Sequence, residues 1–241
     1  MGDAGDLLQL HFDPTGDLLE RTRECEAAVF HHWFGNTRAE LEHEYAPYAA
    51  TSTFLALAEP DGRVVGEVRF IRPGPAGLKT LHDITLPPWS VDADRAARAA
   101  RMDLSSTWEV ATMGVRPGLG GGGVHHALAL YHGLVLTCRA NGITGGVAVL
   151  DQRVRSLMET VGLVYPAIPG TAEAPYLGSP ASVPVYVPIA TMLDVQRRRA
   201  PEAHRLIALG IGLDGVATPD PESFRVGHRV ARALPQQRRA G

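Results

Sequence analysis

Lys79 is the only lysine among the 23 basic side chains of this 241-residue sequence. The imbalance is of the kind a GC-rich genome produces and carries no chemical meaning. Cysteine is nearly absent too. Cys25 and Cys138 are the only two, which excludes a disulfide-stapled scaffold. Each lies in an apolar helical pattern, so both are expected as buried thiols in a reducing compartment; a bond between them, or a thiol nucleophile, is the less favoured alternative. Apolar runs are short: none approaches the roughly 20 residues that cross a bilayer. The opening Met1–Leu10 carries Asp3 and Asp6 but no basic region, so it does not read as a secretory signal, and a cytoplasmic location is expected. An excess of positive charge is also missing. The formal net charge of −3 argues against a nucleic-acid partner, because such domains carry a basic face. No metal is expected. The neighbours in His31-His32 and in His125-His126 point apart on a helix, and no cysteine or acid stands at ligand spacing.

What is present suits one domain with a tail. Hydrophobic content is 45% and charged content 20%, ordinary values for a soluble fold with a full core. An amphipathic helix is read over Leu18–Phe34, with Leu19, Cys25, Val29, Phe30 and Trp33 on one face and Gly35-Asn36 as its stop. A hairpin follows, Thr53–Ala58 and Arg63–Ile71, around Pro60-Asp61-Gly62. A short helix at Asp92–Arg101 precedes a strand at Thr107–Val115. Next come a helix from Gly122 to Ala140, an apolar strand at Ile143–Leu150, a helix at Gln152–Val161 and a strand beginning at Leu163. The last elements are a strand at Val183–Pro188 and one helix at Ile189–Leu209. This order predicts an α/β (α+β) fold, a mixed and mostly antiparallel sheet flanked by helices. Residues 1–194 are read as the domain, and 195–241 as a helix end with a basic, partly disordered tail. From Val195 onward nine arginines face four acids, which would suit an acyl carrier protein or simply solvate the chain end.

One segment carries the chemistry. Val115-Arg116-Pro117-Gly118-Leu119-Gly120-Gly121-Gly122-Gly123 joins a strand to a helix, the arrangement in which backbone N–H groups and the helix dipole cradle an anion. No Lys-Ser or Lys-Thr follows, so it is not a P-loop. It also sits at mid-chain, with Asn141 near the place where a Rossmann unit needs an acid.

The turn resembles the pyrophosphate loop of the GNAT acyltransferase superfamily, V-x-P-x-x-[Q/R]-G-x-[G/A]. Val115, Pro117, Gly121 and Gly123 match, while Gly120 stands where that pattern has Gln or Arg. Within the superfamily the chain looks most like the autoinducer (acyl-homoserine-lactone) synthases and the N-acyl amino acid synthases. The stretch from Phe54 to Arg69 resembles their "YLVA…DGRVVG.AR" hairpin, Leu78-Lys-Thr-Leu-His-Asp-Ile84 the segment after it, and Trp108-Glu109-Val110-Ala111-Thr112 their "WE.SR" strand. The resemblance implies an N-acyltransferase that takes acyl-CoA or acyl-ACP as thioester donor and a small-molecule amine as acceptor. It implies Val115, Pro117, Gly118, Leu119, Gly120, Gly121, Gly122, Gly123 and Val124 around the donor. Phe30, Trp33, Arg69, Trp108 and Thr112 fall to the acceptor and acyl chain. Thr112 replaces the final arginine of "WE.SR", and the paired acids that meet S-adenosylmethionine in the lactone makers are missing, with Glu44-Tyr45 and Tyr48 nearby. A different amine, an amino acid or a biosynthetic intermediate, is therefore expected.

Acyl transfer needs a deprotonated amine, close positioning and a donor for the oxyanion. Glu109 is the expected base, acting directly or through water, on the opposite strand face from Trp108 and Val110, and the backbone near Gly114 or Val115 the expected oxyanion donor. Arg69 is expected to hold an acceptor carboxylate or to form an ion pair with Glu67 or Glu109. The tyrosine that many acetyltransferases place four residues before the next helix-closing glycine is Met158 here, counted back from Gly162. The other readings are a silent acyl-thioester-binding protein and a small-molecule acetyltransferase using acetyl-CoA.

Overall fold

Two apolar runs, each buried along most of its length, meet across a tight turn and begin the centre of the sheet. They are β2 (Ser52–Ala58) and β3 (Val64–Ile71), joined through Gly62 in the left-handed region, with the Asp61 carboxylate accepting a hydrogen bond from Arg63 N. A strand buried on both faces reads as a largely apolar run, which β3 interrupts with the buried polar side chains of Glu67 and Arg69. The computed structural model describes residues 7–120, 122–217 and 219–227. Within them β1 (Leu8–Phe12), β4 (Thr107–Val115), β5 (Gly145–Asp151), β6 (Ala174–Tyr176), β7 (Ser179–Pro188) and β8 (Val216–Ala217) complete one sheet, in the order β6-β7-β5-β4-β3-β2-β1-β8. Only the β1–β8 and β4–β5 contacts are parallel. The fold is thus the expected α/β arrangement with a mixed, mostly antiparallel sheet.

Helices cover both faces. On one lie α1 (Gly16–Phe34), α2 (Arg38–Tyr45), α3 (Lys79–Asp83) and α4 (Ala93–Ala99); on the other α5 (Gly122–Ala140), α6 (Gln152–Thr160), α7 (Ile189–Arg199) and α8 (Pro201–Leu209). Several elements depart from the sequence reading. Leu163 starts no strand; the chain crosses to β6 as a loop with one isolated bridge, Ala167 to Val185. The single helix expected from Ile189 to Leu209 breaks at Ala200, whose φ and ψ of −143° and 69° are non-helical, because the ring of Pro201 disfavours the helical region for the residue before it. The division at residue 194 is not seen either. Val216 and Ala217 pair with β1, and Phe224 is fully buried, stacked on Phe12 at 6.2 Å. The side chain of Asn141, which ends α5, donates to Phe224 O at 2.7 Å and accepts from Val226 N at 2.9 Å. The packed domain therefore runs on to about residue 227. The rest of the basic tail, 228–241, lies outside the described residues.

Two irregularities in β4 set up the site. It pairs with β5 only through Thr107, Trp108 and Glu109. Beyond that point β4 follows β3 and β5 follows β7, so the two parallel strands part. In addition, the β3–β4 register slips between Arg69 and Phe70: Phe70 faces Val110, Arg69 faces Thr112, and Ala111 is the extra residue of a bulge. A bulge shifts the side-chain alternation by one. Glu109 before it and Thr112 and Gly114 after it consequently all face α1 to α3.

Candidate active site

The gap between β4 and β5 is a cavity of about 640 Å³ that reaches both faces of the sheet. Its walls are mostly apolar. Toward α5 they are formed by Leu130, Tyr131, Leu134, Met158, Tyr165, Val185, Val187 and Met192; toward α1 by Val29, Phe30, Trp33, Phe34, Tyr45 and Tyr176. Thr112 lines it as well. Trp33 is 56% exposed and forms part of the rim.

The open edge of β4 supplies polar groups. Arg116 N donates to Val65 O at 2.8 Å. Alternation in an antiparallel ladder then makes Glu67/Gly114 and Arg69/Thr112 the hydrogen-bonded pairs. Gly114 therefore spends its N–H on β3, contrary to its expected role, and the N–H groups of Met113 and Val115 turn toward the gap. Glycine at 114 answers a steric need instead, since an added Cβ would collide with the Val29 side chain.

At the end of β4 the turn closes the cavity. Val115, Pro117, Gly118, Leu119, Gly120 and Gly123 line it, and Gly122 and Val124 do not. Val124 is 72% exposed and points away. Gly118 and Gly120 have φ of 87° and 56°, a left-handed backbone in which a side chain is strained. This is why glycine occupies position 120 although the family pattern has a long polar residue there. Added Cβ atoms at Gly118, Gly120 and Gly123 would meet nothing within 4 Å, so the backbone is open to close approach. Gly121 lies outside the described residues.

Behind the α1 wall sits a buried polar cluster. Arg69 donates to both Glu26 oxygens, at 2.8 and 2.6 Å. Its guanidinium lies over Tyr45 and Phe54, 4.5 and 4.6 Å from the ring centres. Thr112 Oγ1 donates to Glu26 at 2.6 Å and lies 3.1 Å from Glu67. Burial first, and the Glu26 charge second, push the Glu67 carboxyl well above its usual range. A protonated Glu67 explains how one hydroxyl satisfies two carboxyls: it donates to Thr112, which donates to Glu26.

Among solved structures, the CoA-dependent acyl-homoserine lactone synthase BjaI, described with SAM and isopentyl-CoA, superposes with a TM-score of 0.57 at 18% identity. The match covers 91% of this chain and 97% of that one. The acyl-homoserine lactone synthase LasI gives 0.56 at 17%, covering 89% and 98%. FeeM, an N-acyl amino acid synthase from uncultured soil microbes, gives 0.58 at 11%, covering 80% and 96%. The fold is that of these synthases. No family model matches the chain, and no curated protein does.

On this fold, the residues expected at the site fall into two groups. Phe30, Trp33, Thr112 and most of the turn reach the cavity; Glu109, Arg69 and Trp108 do not. Glu109 sits at the last β4–β5 pair, where the strands part, with its oxygens accepting from Thr80 N and Thr80 Oγ1, both at 2.9 Å. Burial raises its pKa to about 7. Its side chain does not line the cavity. Arg69 is committed to Glu26 rather than free for an acceptor carboxylate, and its partner is neither Glu67 nor Glu109. Trp108 packs edge-on against Phe70, 6.2 Å between ring centres, in the core under α5.

Several wall residues carried no sequence signal. Tyr131 and Tyr165 stand near Met158 on the α5 side, and burial keeps both phenols protonated, Tyr131 rising to about 12. Tyr176 lines the α1 side, its hydroxyl bonded to Asp83 at 2.5 Å and to Lys79 at 2.6 Å; Lys79 also pairs with Glu44 at 2.6 Å. Asp151, at the end of β5, is the only carboxylate on the cavity wall among the described residues. No cluster of metal-ligating side chains occurs among the described residues, and none of the described helices is long and apolar enough to cross a membrane.

Proposed function

We propose that the chain is an N-acyltransferase that moves an acyl group from a CoA or acyl-carrier thioester to a small-molecule amine, an amino acid or biosynthetic intermediate. The observation that carries this reading is the apolar cavity between the unpaired halves of β4 and β5, closed at one end by an open glycine turn. The donor's amide-bearing arm would run along the free edge of β4 as an added strand does, with its phosphate at the turn and the start of α5. The N–H groups of Met113 and Val115 would meet the thioester carbonyl and its oxyanion. As the C–N bond forms and the C–S bond breaks, the amine loses one proton and the sulfur gains one. The Tyr131 phenol, which accepts from Tyr165 and so keeps its own proton free, would donate a hydrogen bond to the departing sulfur. Glu109 becomes a positioning residue that ties β4 to α3 at the point where the strands part. The apolar walls favour a chain longer than acetyl.

The test is thiol release from acetyl, hexanoyl, octanoyl and decanoyl thioesters of CoA and of acyl carrier protein, with amides detected by mass. Each buried methylene is worth about 0.8 kcal/mol, so kcat/KM should climb roughly fourfold per carbon until the cavity is full. A flat profile led by acetyl-CoA points to a small-molecule acetyltransferase. Binding of thioesters without any thiol release supports a silent binder, which Gly120 and Met158 in place of the pattern's polar side chains favour.

A further inference from the structure

Among the described residues the cavity wall holds one ion pair, Asp151 with Arg153. β5 ends at Asp151, whose side chain shares the α1 face with those of Val147 and Val149 by alternation, and Arg153 follows in the first turn of α6. Arg153 donates from Nε and Nη2 to the two Asp151 oxygens, each at 3.0 Å. Ser179 Oγ donates to the same carboxylate at 2.8 Å, and Arg153 N caps from 2.9 Å. Ser182 lies directly opposite Asp151 on β7 and also lines the cavity. The two partners differ sharply in exposure: the Asp151 side chain is 6% exposed, the Arg153 side chain 66%. Asp151 is thus fixed by the hairpin serine and the helix cap, whereas Arg153 is a solvated arm whose contact costs little to exchange.

We propose that Asp151 and Arg153 form the acceptor clamp, which makes the acceptor an α-amino acid. The inference rests on the acyltransferase reading above and names its second substrate. A fixed carboxylate beside a movable guanidinium is the mirror of a zwitterion: Asp151 takes the ammonium and Arg153 swings onto the carboxylate, which it can hold bidentately. Among the described residues the cavity wall offers no other carboxylate for an ammonium. The remaining wall cation, Arg116, is tied at the turn, donating from Nε to Val64 O at 3.1 Å. Phe30, Phe34, Tyr45 and Tyr176 on the same side leave the amino acid side chain an apolar seat. Of the two protons that the ammonium gives up, one passes to solvent before attack and one ends on the sulfur.

Calorimetric binding tests the clamp without turnover. The full chain, saturated with CoA, is titrated with a panel of L-amino acids and with the amines that lack their carboxylates, for example L-leucine against 3-methylbutylamine. Asp151→Asn keeps a good helix cap and should weaken the amino acid about tenfold to a hundredfold, the range of a charge-assisted contact. Arg153→Ala should weaken the amino acid similarly and leave the amine unchanged. In turnover the same losses should appear in the acceptor KM, with kcat within about threefold. Wild-type protein that binds amine and amino acid equally, or Asp151→Asn that binds the amino acid as wild type does, overturns the clamp. Failure of the acyltransferase reading is a separate result: no thiol released from any donor by wild-type protein, whatever the calorimetry shows.

Discussion

Removing the Arg69 side chain separates two accounts of what this arginine does. With side chains only 7% and 3% exposed, Arg69 and Glu26 form a buried, bidentate pair. Arg69→Met leaves the Glu26 carboxylate buried with the Thr112 hydroxyl as its remaining donor, beside a second carboxyl, Glu67. Breaking such a pair from one side costs about 3–5 kcal/mol. For a chain of this size that lowers Tm by roughly 6–20 °C. Glu26→Leu alone strands the guanidinium between Tyr45 and Phe54 and should cost a similar amount. The double variant removes both charges, and replacing a buried pair with apolar groups of like volume is often neutral. Its stability should therefore lie well above the sum of the single losses, with a coupling of about 3 kcal/mol measured by urea denaturation as a double-mutant cycle. An acceptor-binding Arg69 would behave otherwise: Arg69→Met would raise the acceptor KM and leave the denaturation midpoint nearly unmoved. Single losses below about 1 kcal/mol, or losses that simply add, would refute the assignment of this pair as structural.

Three further outcomes follow from the same geometry. Glu109, raised to about 7 by burial, holds a proton in the folded chain that the unfolded chain sheds near 4.3, so its contribution is complete below about pH 4 and lost as pH rises to about 7, by at most roughly 3 kcal/mol. Glu109→Gln should gain stability on wild type across that window in urea titrations at pH 4, 5, 6 and 7 and keep thiol release within about threefold; a hundredfold loss of kcat would restore Glu109 as the base. Gly114→Ala should cost about 1–3 kcal/mol by forcing a methyl into Val29, and Val29→Ala in the same chain should recover most of it, read by thermal melts. Gly120→Ala has free space around the added methyl but a left-handed backbone, so a loss of about 1 kcal/mol with weaker CoA binding by calorimetry is expected, and unchanged binding would remove the turn from the donor site.

Periodicity located the elements that carry the site because each has a strong local pattern. The strand at Thr107–Val115 and the helix at Gly122–Ala140 lie where their apolar spacing and flanking glycines place them. Elements that depend on distant partners were not legible. β1 is a short strand of mixed polarity that exists because Ala58 to Leu55 and β8 pair with it. Phe224 looks like tail until Phe12 and Asn141 are brought beside it. Phe30, Trp33 and the turn, which line the cavity, are legible because aromatics on an apolar helix face and clustered glycines are local signals. Asp151 is not, because a lone acid before a helix reads as an ordinary cap, which it also is. Lys79 stood out only as a compositional oddity, and nothing local announces that Glu44, Asp83 and Tyr176 converge on it.

The facing of the β4 side chains turns on one residue, the extra one at Ala111. Strict alternation from Glu109 puts Ala111 and Met113 toward α1 and Thr112 toward α5. The bulge reverses this beyond Ala111, delivering Thr112 to Glu26 and Gly114 to Val29 and sending Met113 to the core under α5. It also rotates the backbone, so that the N–H groups of Met113 and Val115, and not that of Gly114, face the gap left by β5. One inserted residue, marked by neither glycine nor proline, thus decides which backbone donors face the gap between β4 and β5. Removing it by deleting Ala111 should return the strand to simple alternation, drive Thr112 off Glu26 and abolish thiol release, even in protein that still melts cooperatively. A deletion variant that kept wild-type kcat/KM would show that the oxyanion donors lie elsewhere than on β4.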